Sequence, residues 1–220
     1  KAELLDAGWA LFDEQGYNLT TVNAIIERIG VSKGTFYHYF ASKQEVLEAV
    51  VEREVAQTRQ SLEDAVSDEN LDAKQKLNRF FNASWRIKLA YIDTIRWMVP
   101  VVLEEGDILL RPKFDEKIAQ VSSNILISII EQGVLEQVFD TPSAEGTATL
   151  IVRSWDYLKS AGVRSLAALP DRQHIRSQLE FAHEFYLDTV ERLLGMTSGS
   201  LARPSLDYYS AFTDIYANLA

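Results

Sequence analysis

Thr21-Val22-Asn23-Ala24-Ile25-Ile26-Glu27-Arg28-Ile29-Gly30-Val31-Ser32-Lys33-Gly34-Thr35-Phe36-Tyr37-His38-Tyr39-Phe40-Ala41-Ser42-Lys43 is the stretch from which the rest of the chain can be read. Val22, Ile25, Ile26 and Ile29 fall at i, i+3, i+4 and i+7, the spacing of one apolar helix face, and Gly30 is placed to stop that helix. Only Val31 separates Gly30 from Ser32, a capping residue type that opens a second short helix carrying Thr35 to Phe40. Two short helices joined by a tight glycine-containing turn, the second rich in small polar and aromatic residues, have the pattern of a helix-turn-helix unit. Ser42-Lys43-Gln44-Glu45 then has capping-box spacing and opens a further helix.

Working outward, Leu4, Gly8, Leu11 and Phe12 share one face of a preceding helix, which the Gly16-Tyr17-Asn18 turn stops; Thr20 is the expected N-cap of the next. The formal net charge of the 220 residues is -10, yet no Asp or Glu lies between Arg28 and Gln44, where Lys33 and Lys43 also occur. Phosphate attraction needs clustered Lys and Arg, so this chain does not coat nucleic acid along its whole surface, and any contact is local to this stretch. Thr21, near a helix N-terminus, offers a hydroxyl and free backbone N–H groups to a phosphate. Ser32, Lys33, Gly34 and Thr35 open the second short helix. Lys33 can donate to guanine O6 or N7, Gly34 lets the backbone approach base edges, and the Thr35 methyl or hydroxyl can reach a base or phosphate. Tyr37, His38 and Tyr39 carry polar tips suited to the same partners, and Lys43 supplies a charge for the backbone. Phe36 and Phe40, four apart, read as core. The plainer alternatives are that all five aromatic positions are core and that the two lysines are ordinary solvated ones.

The full run is Phe12-x3-Gly16-Tyr17-x2-Thr20-Thr21-Val22-x2-Ile25-x4-Gly30-Val31-Ser32-Lys33-Gly34-Thr35-Phe36-Tyr37-His38-Tyr39-Phe40-x-Ser42-Lys43. It closely resembles the N-terminal domain of the tetracycline-repressor (TetR) family over roughly residues 4 to 50. The resemblance implies base and phosphate contacts at Thr21, Ser32, Lys33, Gly34, Thr35, Tyr37, His38, Tyr39 and Lys43. It also implies a homodimeric transcription repressor, bound to a near-palindromic double-stranded DNA operator and released by a small-molecule effector. Two features depart from the family. Ile26 and Ile29 stand where small alanines are common, and Glu3, Asp6, Asp13 and Glu14 make the N-terminal segment acidic.

Helical spacing recurs through the rest of the chain and sustained alternation does not, so the expected fold is all-α: a three-helix DNA-binding domain over 1–45, a larger helical ligand-binding and dimerisation domain over 46–195, and a linker with an extra C-terminal helix over 196–220. A long helix from Lys43 to about Ser67 is followed by one from about Leu71, a break around Gly106 to Pro112, a helix over about Lys113 to Gln132, and a hairpin of about Ala144 to Ala168 and Asp171 to Leu194, with Pro170 in the first turn of its second arm. Trp85, Trp97 and Trp155 are candidate pocket walls, with Arg86, Arg96 and Glu104 as orienting polar groups; plain packing, and an Asp93–Arg96 ion pair, are the competing readings. The hairpin residues Ala148, Ile151, Trp155 and Leu158, with Ile175, Leu179, Ala182, Tyr186 and Leu193, form faces for a four-helix dimer interface or for internal packing. After a flexible linker, Tyr208, Phe212, Ile215 and Leu219 form a stripe that needs a surface to cover, in its own chain or in the partner.

An enzyme finds little support. There is no cysteine, no Gly-x-Gly phosphate loop and no His-Glu-x-x-His helix, and His174 and His183 read as solvated or interface residues. No metal, cofactor or membrane partner is expected, and the cytoplasm is the default compartment. The chain opens at Lys1 already inside an amphipathic segment, so residues are expected to precede it. The second reading keeps the DNA-binding unit and replaces the small molecule with a protein partner, the C-terminal helix acting as adaptor.

Overall fold

Helical periodicity in the sequence becomes helix throughout the described residues, which are 1–92, 110–167 and 171–218 of the computed structural model, with side chains placed for 1–92, 115–155 and 171–218. The elements are α1 (Ala2–Gln15), α2 (Val22–Ile29), α3 (Lys33–Tyr39), α4 (Lys43–Val66), α5 (Ala73–Ala90), α6 (Leu110–Leu135), α7 (Ala144–Ala167), α8 (Arg172–Leu193) and α9 (Leu206–Ala217). Two compact units divide the chain. One holds Lys1–Gln57 with residues 110–114 and the other Thr58–Ile92 and Asp115 onward, so boundaries fall inside α4 and near the start of α6.

In the first unit, Leu4, Leu11 and Phe12 of α1, Ile25 and Ile26 of α2, Phe36 of α3, Phe40, and Val46 and Val50 of α4 form one buried cluster. Gly8 permits a close approach within it, because a Cβ there would lie 2.6 Å from Val46 Cγ1. Thr20 is not the cap of α2 that its residue type suggests. It is buried, its hydroxyl 2.8 Å from the Gly16 carbonyl and 3.1 Å from that of Leu11, and Thr21 caps α2 instead by accepting from Ala24 N–H. Gly30 ends α2 in the left-handed conformation, at φ 69°, where a side chain is strained. The capping box expected at α4 is half formed: Ser42 Oγ accepts from Glu45 N–H at 3.2 Å, while the Glu45 carboxylate accepts from Ala41 N–H rather than from Ser42.

In the second unit, Asp72 and Gln75 cap α5 reciprocally, so that helix starts at Ala73, after the expected Leu71. α6 starts at Leu110, and Pro112 falls in its first turn, where the missing N–H costs nothing. By length and composition Asp115–Leu135 could cross a membrane. Its Val121, Leu126, Ile129 and Ile130 are instead buried among the residues of this unit. Asp171 caps α8 by accepting from Gln173 and His174 N–H; Pro170 lies outside the described residues.

The hairpin faces resolve in favour of internal packing. Ala148, Ile151, Ile175, Leu179 and Tyr186 are buried within the chain, Trp155, Ala182 and Leu193 are partly so, and the Leu158 side chain lies outside the described residues. The tail is fastened as well. Glu191, fully buried, accepts from Gly199 N–H at 2.8 Å and Leu201 N–H at 2.7 Å, while Asn78 Oδ1 accepts from Ala202 N–H at 2.7 Å. The expected flexible linker is therefore a clasped segment. It delivers α9 onto α8, α7 and α5 of the same chain, burying Tyr208, Phe212 and Ile215; Leu219 lies outside the described residues.

Candidate functional site

The first unit turns one helix outward. Phe36 is fully buried and Phe40 nearly so, their rings 6.2 Å apart, and this pair anchors α3 to the core. The intervening residues point away from it: Tyr37 is 57% exposed, Tyr39 43%, and His38 is exposed beside Tyr39, so core packing does not account for this part of the aromatic run. Thr21, Ser32, Lys33, Gly34 and Thr35 are exposed too. Ser32 Oγ accepts from Thr35 N–H at 3.1 Å and lies 3.0 Å from Thr35 Oγ1, and Thr21 Oγ1 accepts from Ala24 N–H at 3.1 Å. Each capping hydroxyl satisfies an orphan amide of its helix.

Gly34 is informative because no neighbour among the described residues requires it. A Cβ there would meet only Ser32 Oγ, at an ordinary 3.6 Å, and the residue is not in the left-handed region. The glycine leaves the α3 backbone open to close approach by another surface.

Two cations of the basic stretch are employed within the unit. Arg28 forms a two-pronged ion pair with Glu14, strapping α2 to α1. Lys43 Nζ donates to the carbonyls of Tyr17 at 2.7 Å and Thr20 at 2.8 Å and sits 4.0 Å from the Tyr17 ring centre. Lys43 thus ties the turn between α1 and α2 to the start of α4, a role that its sequence position did not reveal. Lys33 has neither ion pair nor hydrogen bond among the described residues.

In the second unit a partly open cleft of about 590 Å³ is lined by Asp64 and Ala65 of α4, Arg79, Asn82, Trp85, Arg86 and Leu89 of α5, and Arg203, Ser205 and Tyr208 of the tail. Of the expected pocket residues, Trp85 and Arg86 stand on its wall. Trp155 packs behind, its ring 5.5 Å from that of Trp85. Arg96, Trp97 and Glu104 lie outside the described residues. Sequence reasoning missed Arg79, Asn82, Arg203 and Tyr208, the last two because the tail was read as linker and surface helix. Arg203 is held by both carboxylate oxygens of Glu184, at 3.0 and 2.9 Å, and this pairing lowers the Glu184 pKa.

Behind Trp85 lies His183, which is buried rather than solvated or interfacial. Burial lowers its pKa to about 4, with Lys88 also disfavouring the cation, against the opposing effects of the Leu179 carbonyl and Glu184. Burial likewise pushes Tyr209 up to about 12 and Tyr208 well above its usual range. Lys88 Nζ lies 4.4 Å from the Trp85 ring centre and 4.0 Å from that of Trp155. Among the described residues no cluster of His, Asp and Glu has the makings of a metal site.

Residues 4–50 match the family model described as bacterial regulatory proteins, tetR family. The fatty acid metabolism regulator protein of Bacillus subtilis is 27% identical over 132 residues, 60% of this chain and 66% of that protein. The HTH-type transcriptional repressor KstR2 of Mycobacterium tuberculosis is 27% identical over 142 residues, 63% of this chain and 68% of that one. The matched stretch thus spans about two thirds of each relative. The crystal structure of the transcriptional regulator FadR from Bacillus subtilis in complex with stearoyl-CoA superposes with a TM-score of 0.52 at 23% identity, covering 72% of this chain and 88% of that one. The outward-facing α3, its capped helix-turn-helix frame and these likenesses lead to one conclusion: over residues 4–50 the chain is similar to bacterial regulatory proteins of the tetR family.

Proposed function

We propose that this protein is a ligand-responsive transcriptional repressor that binds a near-palindromic DNA operator as a homodimer and is released by a small effector with a largely apolar body. The observation that carries the DNA-binding part is Gly34, which the fold does not require, on a helix whose Lys33, Thr35, Tyr37, His38 and Tyr39 all face outward. In this reading α3 enters the major groove. Lys33 and Tyr37 read base edges, Thr35, His38 and Tyr39 contact bases or phosphates, and Thr21, Ser32 and Lys43 hold the phosphate backbone.

Dimerisation is supported by an apolar face other than the one the sequence suggested. Leu150 of α7 and Phe181 and Phe185 of α8 are 54%, 64% and 57% exposed, and the two phenylalanine rings stack on each other. A face of this kind on adjacent helices suits an isologous contact with a second copy, and a two-fold dimer on DNA needs its recognition helices about 34–36 Å apart, one turn of DNA. The effector occupies the cleft of the second unit, where Trp85 and Leu89 receive its apolar body and Arg79 and Arg86 suit an anionic group. Stearoyl-CoA in the FadR structure joins an acyl chain to an anionic head, the same pairing of properties. Effector binding acts through α4, which carries Lys43 at one end and the cleft residues Asp64 and Ala65 at the other. To reverse a 99:1 equilibrium the effector must favour the released state by about 5.5 kcal/mol. The partner-controlled alternative loses its adaptor, because α9 is already packed in its own chain.

The test is selection of binding sites from random DNA, followed by titration of the wild type and Gly34→Ala. A palindromic site is expected. Gly34→Ala should keep or slightly raise thermal stability while losing about 1–3 kcal/mol per half-site. Operator affinity unchanged in Gly34→Ala would remove α3 from the interface.

A further inference from the structure

Two polar atoms are left over inside the second unit. Trp85 Nε1 and His183 Nε2 are both buried, and neither has a hydrogen-bond partner among the described residues. Their rings stand edge to face with centres 5.3 Å apart. Buried polar groups in folded proteins are nearly always paired, so two orphans side by side call for an explanation.

Their polarities are opposite. An indole N–H only donates. His183 Nδ1 lies 2.7 Å from the Leu179 carbonyl oxygen, which only accepts, so Nδ1 carries the ring proton and Nε2 is a bare acceptor in the neutral ring that burial enforces. The groups nearby do not fill the gap. Lys88 of α5 stands over the two indole faces, and the Tyr208 and Tyr209 rings of α9 approach the imidazole edge to face at 5.3 and 5.4 Å. A carboxylate, ketone or ether oxygen would satisfy Trp85 and leave His183 unmet, and an ammonium would do the reverse. An O–H group meets both demands from one oxygen atom. Trp85 and Tyr208 also line the cleft, and His183 stands behind Trp85 without lining it.

We propose that the cleft takes an effector bearing an alcohol or phenol hydroxyl, whose oxygen accepts from Trp85 Nε1–H and whose proton is donated to His183 Nε2. This rests on the effector reading above and gives it a chemical class. A ligand hydroxyl placed there makes both bonds, while the ligand's carbon frame meets the aromatic wall.

The experiment compares 1-octanol with heptyl methyl ether, which has the same heavy atoms and no O–H, as probes of the full chain by tryptophan fluorescence and calorimetry. Octanol is expected to bind at least tenfold more tightly. His183→Phe and Trp85→Phe should each reduce that preference to less than threefold with binding of both probes retained. Melting curves establish that the variants fold, and where one does not, the other decides. Equal affinities in the wild type would overturn the proposal, leaving the effector reading in place. A preference that survives both substitutions would overturn it too, by placing hydroxyl recognition elsewhere. Binding of neither probe would overturn the proposal, whereas the effector reading fails separately, when no ligand of the cleft alters operator affinity.

Discussion

The two units use the same kinds of side chain in opposite ways. On α3, Tyr37, His38 and Tyr39 project from a short helix pinned by Phe36 and Phe40; in the second unit, Trp85, Trp155, His183 and Tyr208 turn inward on one another. The cations follow the same division. Lys33 stands exposed, whereas Lys88 lies against two indole faces. A residue type therefore says little about its task until its surroundings are known, and the clearest functional signals are places where the fold's own needs fail to explain a residue: a glycine with room for a side chain, and a buried donor and acceptor with no partner among the described residues.

The largest expected effect breaks the comparison at its histidines. His183 has a folded pKa of about 4, below the roughly 6.5 of an unfolded chain. As pH falls below about 6.5, the unfolded state takes up a proton that the folded state refuses until about pH 4. Stability contributed by the neutral buried ring is therefore present above that window and lost on acidification through it, by roughly 3 kcal/mol in total. Lys88 of α5, Glu184 of α8 and Tyr208 and Tyr209 of α9 face this ring, and of these Lys88 and Glu184 act on it in opposite directions. Urea denaturation of wild type and His183→Phe at several pH values isolates the term, because the carboxylates common to both proteins cancel. The variant should show the shallower decline between pH 6.5 and 4. Parallel curves would mean that the ring is accessible to protons in the folded state.

The recognition unit was legible in the sequence because its requirements are local. A cap at Ser32, a left-handed stop at Gly30 and apolar residues at helical spacing specify geometry over a few residues, and the outward aromatics lie between two inward ones. The second unit resisted reading because its requirements are not local. Glu191 meets Gly199 and Leu201 across a turn that sequence spacing alone presents as a polar linker, and Arg203 joins the cleft only because that clasp directs it there. The hairpin stripes were identified correctly as apolar, but their direction was open: Ile151 and Leu179 face inward, while Leu150 and Phe181 face solvent. Helical spacing finds a face without saying what covers it.

Lys43 sharpens the comparison from the other side, being a cation of the recognition unit that works inward. Its ammonium is shared by two carbonyls and a tyrosine ring, so Lys43→Ala should destabilise the protein by about 2 kcal/mol, which an exposed phosphate contact alone would not do. It should also weaken binding to operator and scrambled DNA about equally, lowering the salt slope by about one per subunit. Lys33→Ala is the control. No loss of stability is expected, and a relaxed preference at one or two base positions is. Thermal melts with titrations at several salt concentrations check both, and a Lys43→Ala protein as stable as the wild type would make the carbonyl contacts dispensable.

The smallest effect concerns Thr21, where one hydroxyl is asked to do two things. It caps α2 by accepting from Ala24 N–H, and its own proton is left to donate outward to a phosphate. Thr21→Ala confounds the two tasks, since losing the cap costs about 1 kcal/mol of stability and removes the phosphate donor as well. Thr21→Asp separates them. Aspartate caps a helix at least as well as threonine and its charge suits the positive end of α2, so the melting temperature should hold or rise. That same charge repels a phosphate, so affinity for operator and random DNA should fall together while the ratio between them is kept. Calorimetric melts paired with titrations on both DNAs give the answer. A stable Thr21→Asp protein that binds DNA as the wild type does would show that no phosphate comes near the start of α2, and would confine the interface to α3 and the residues that follow it.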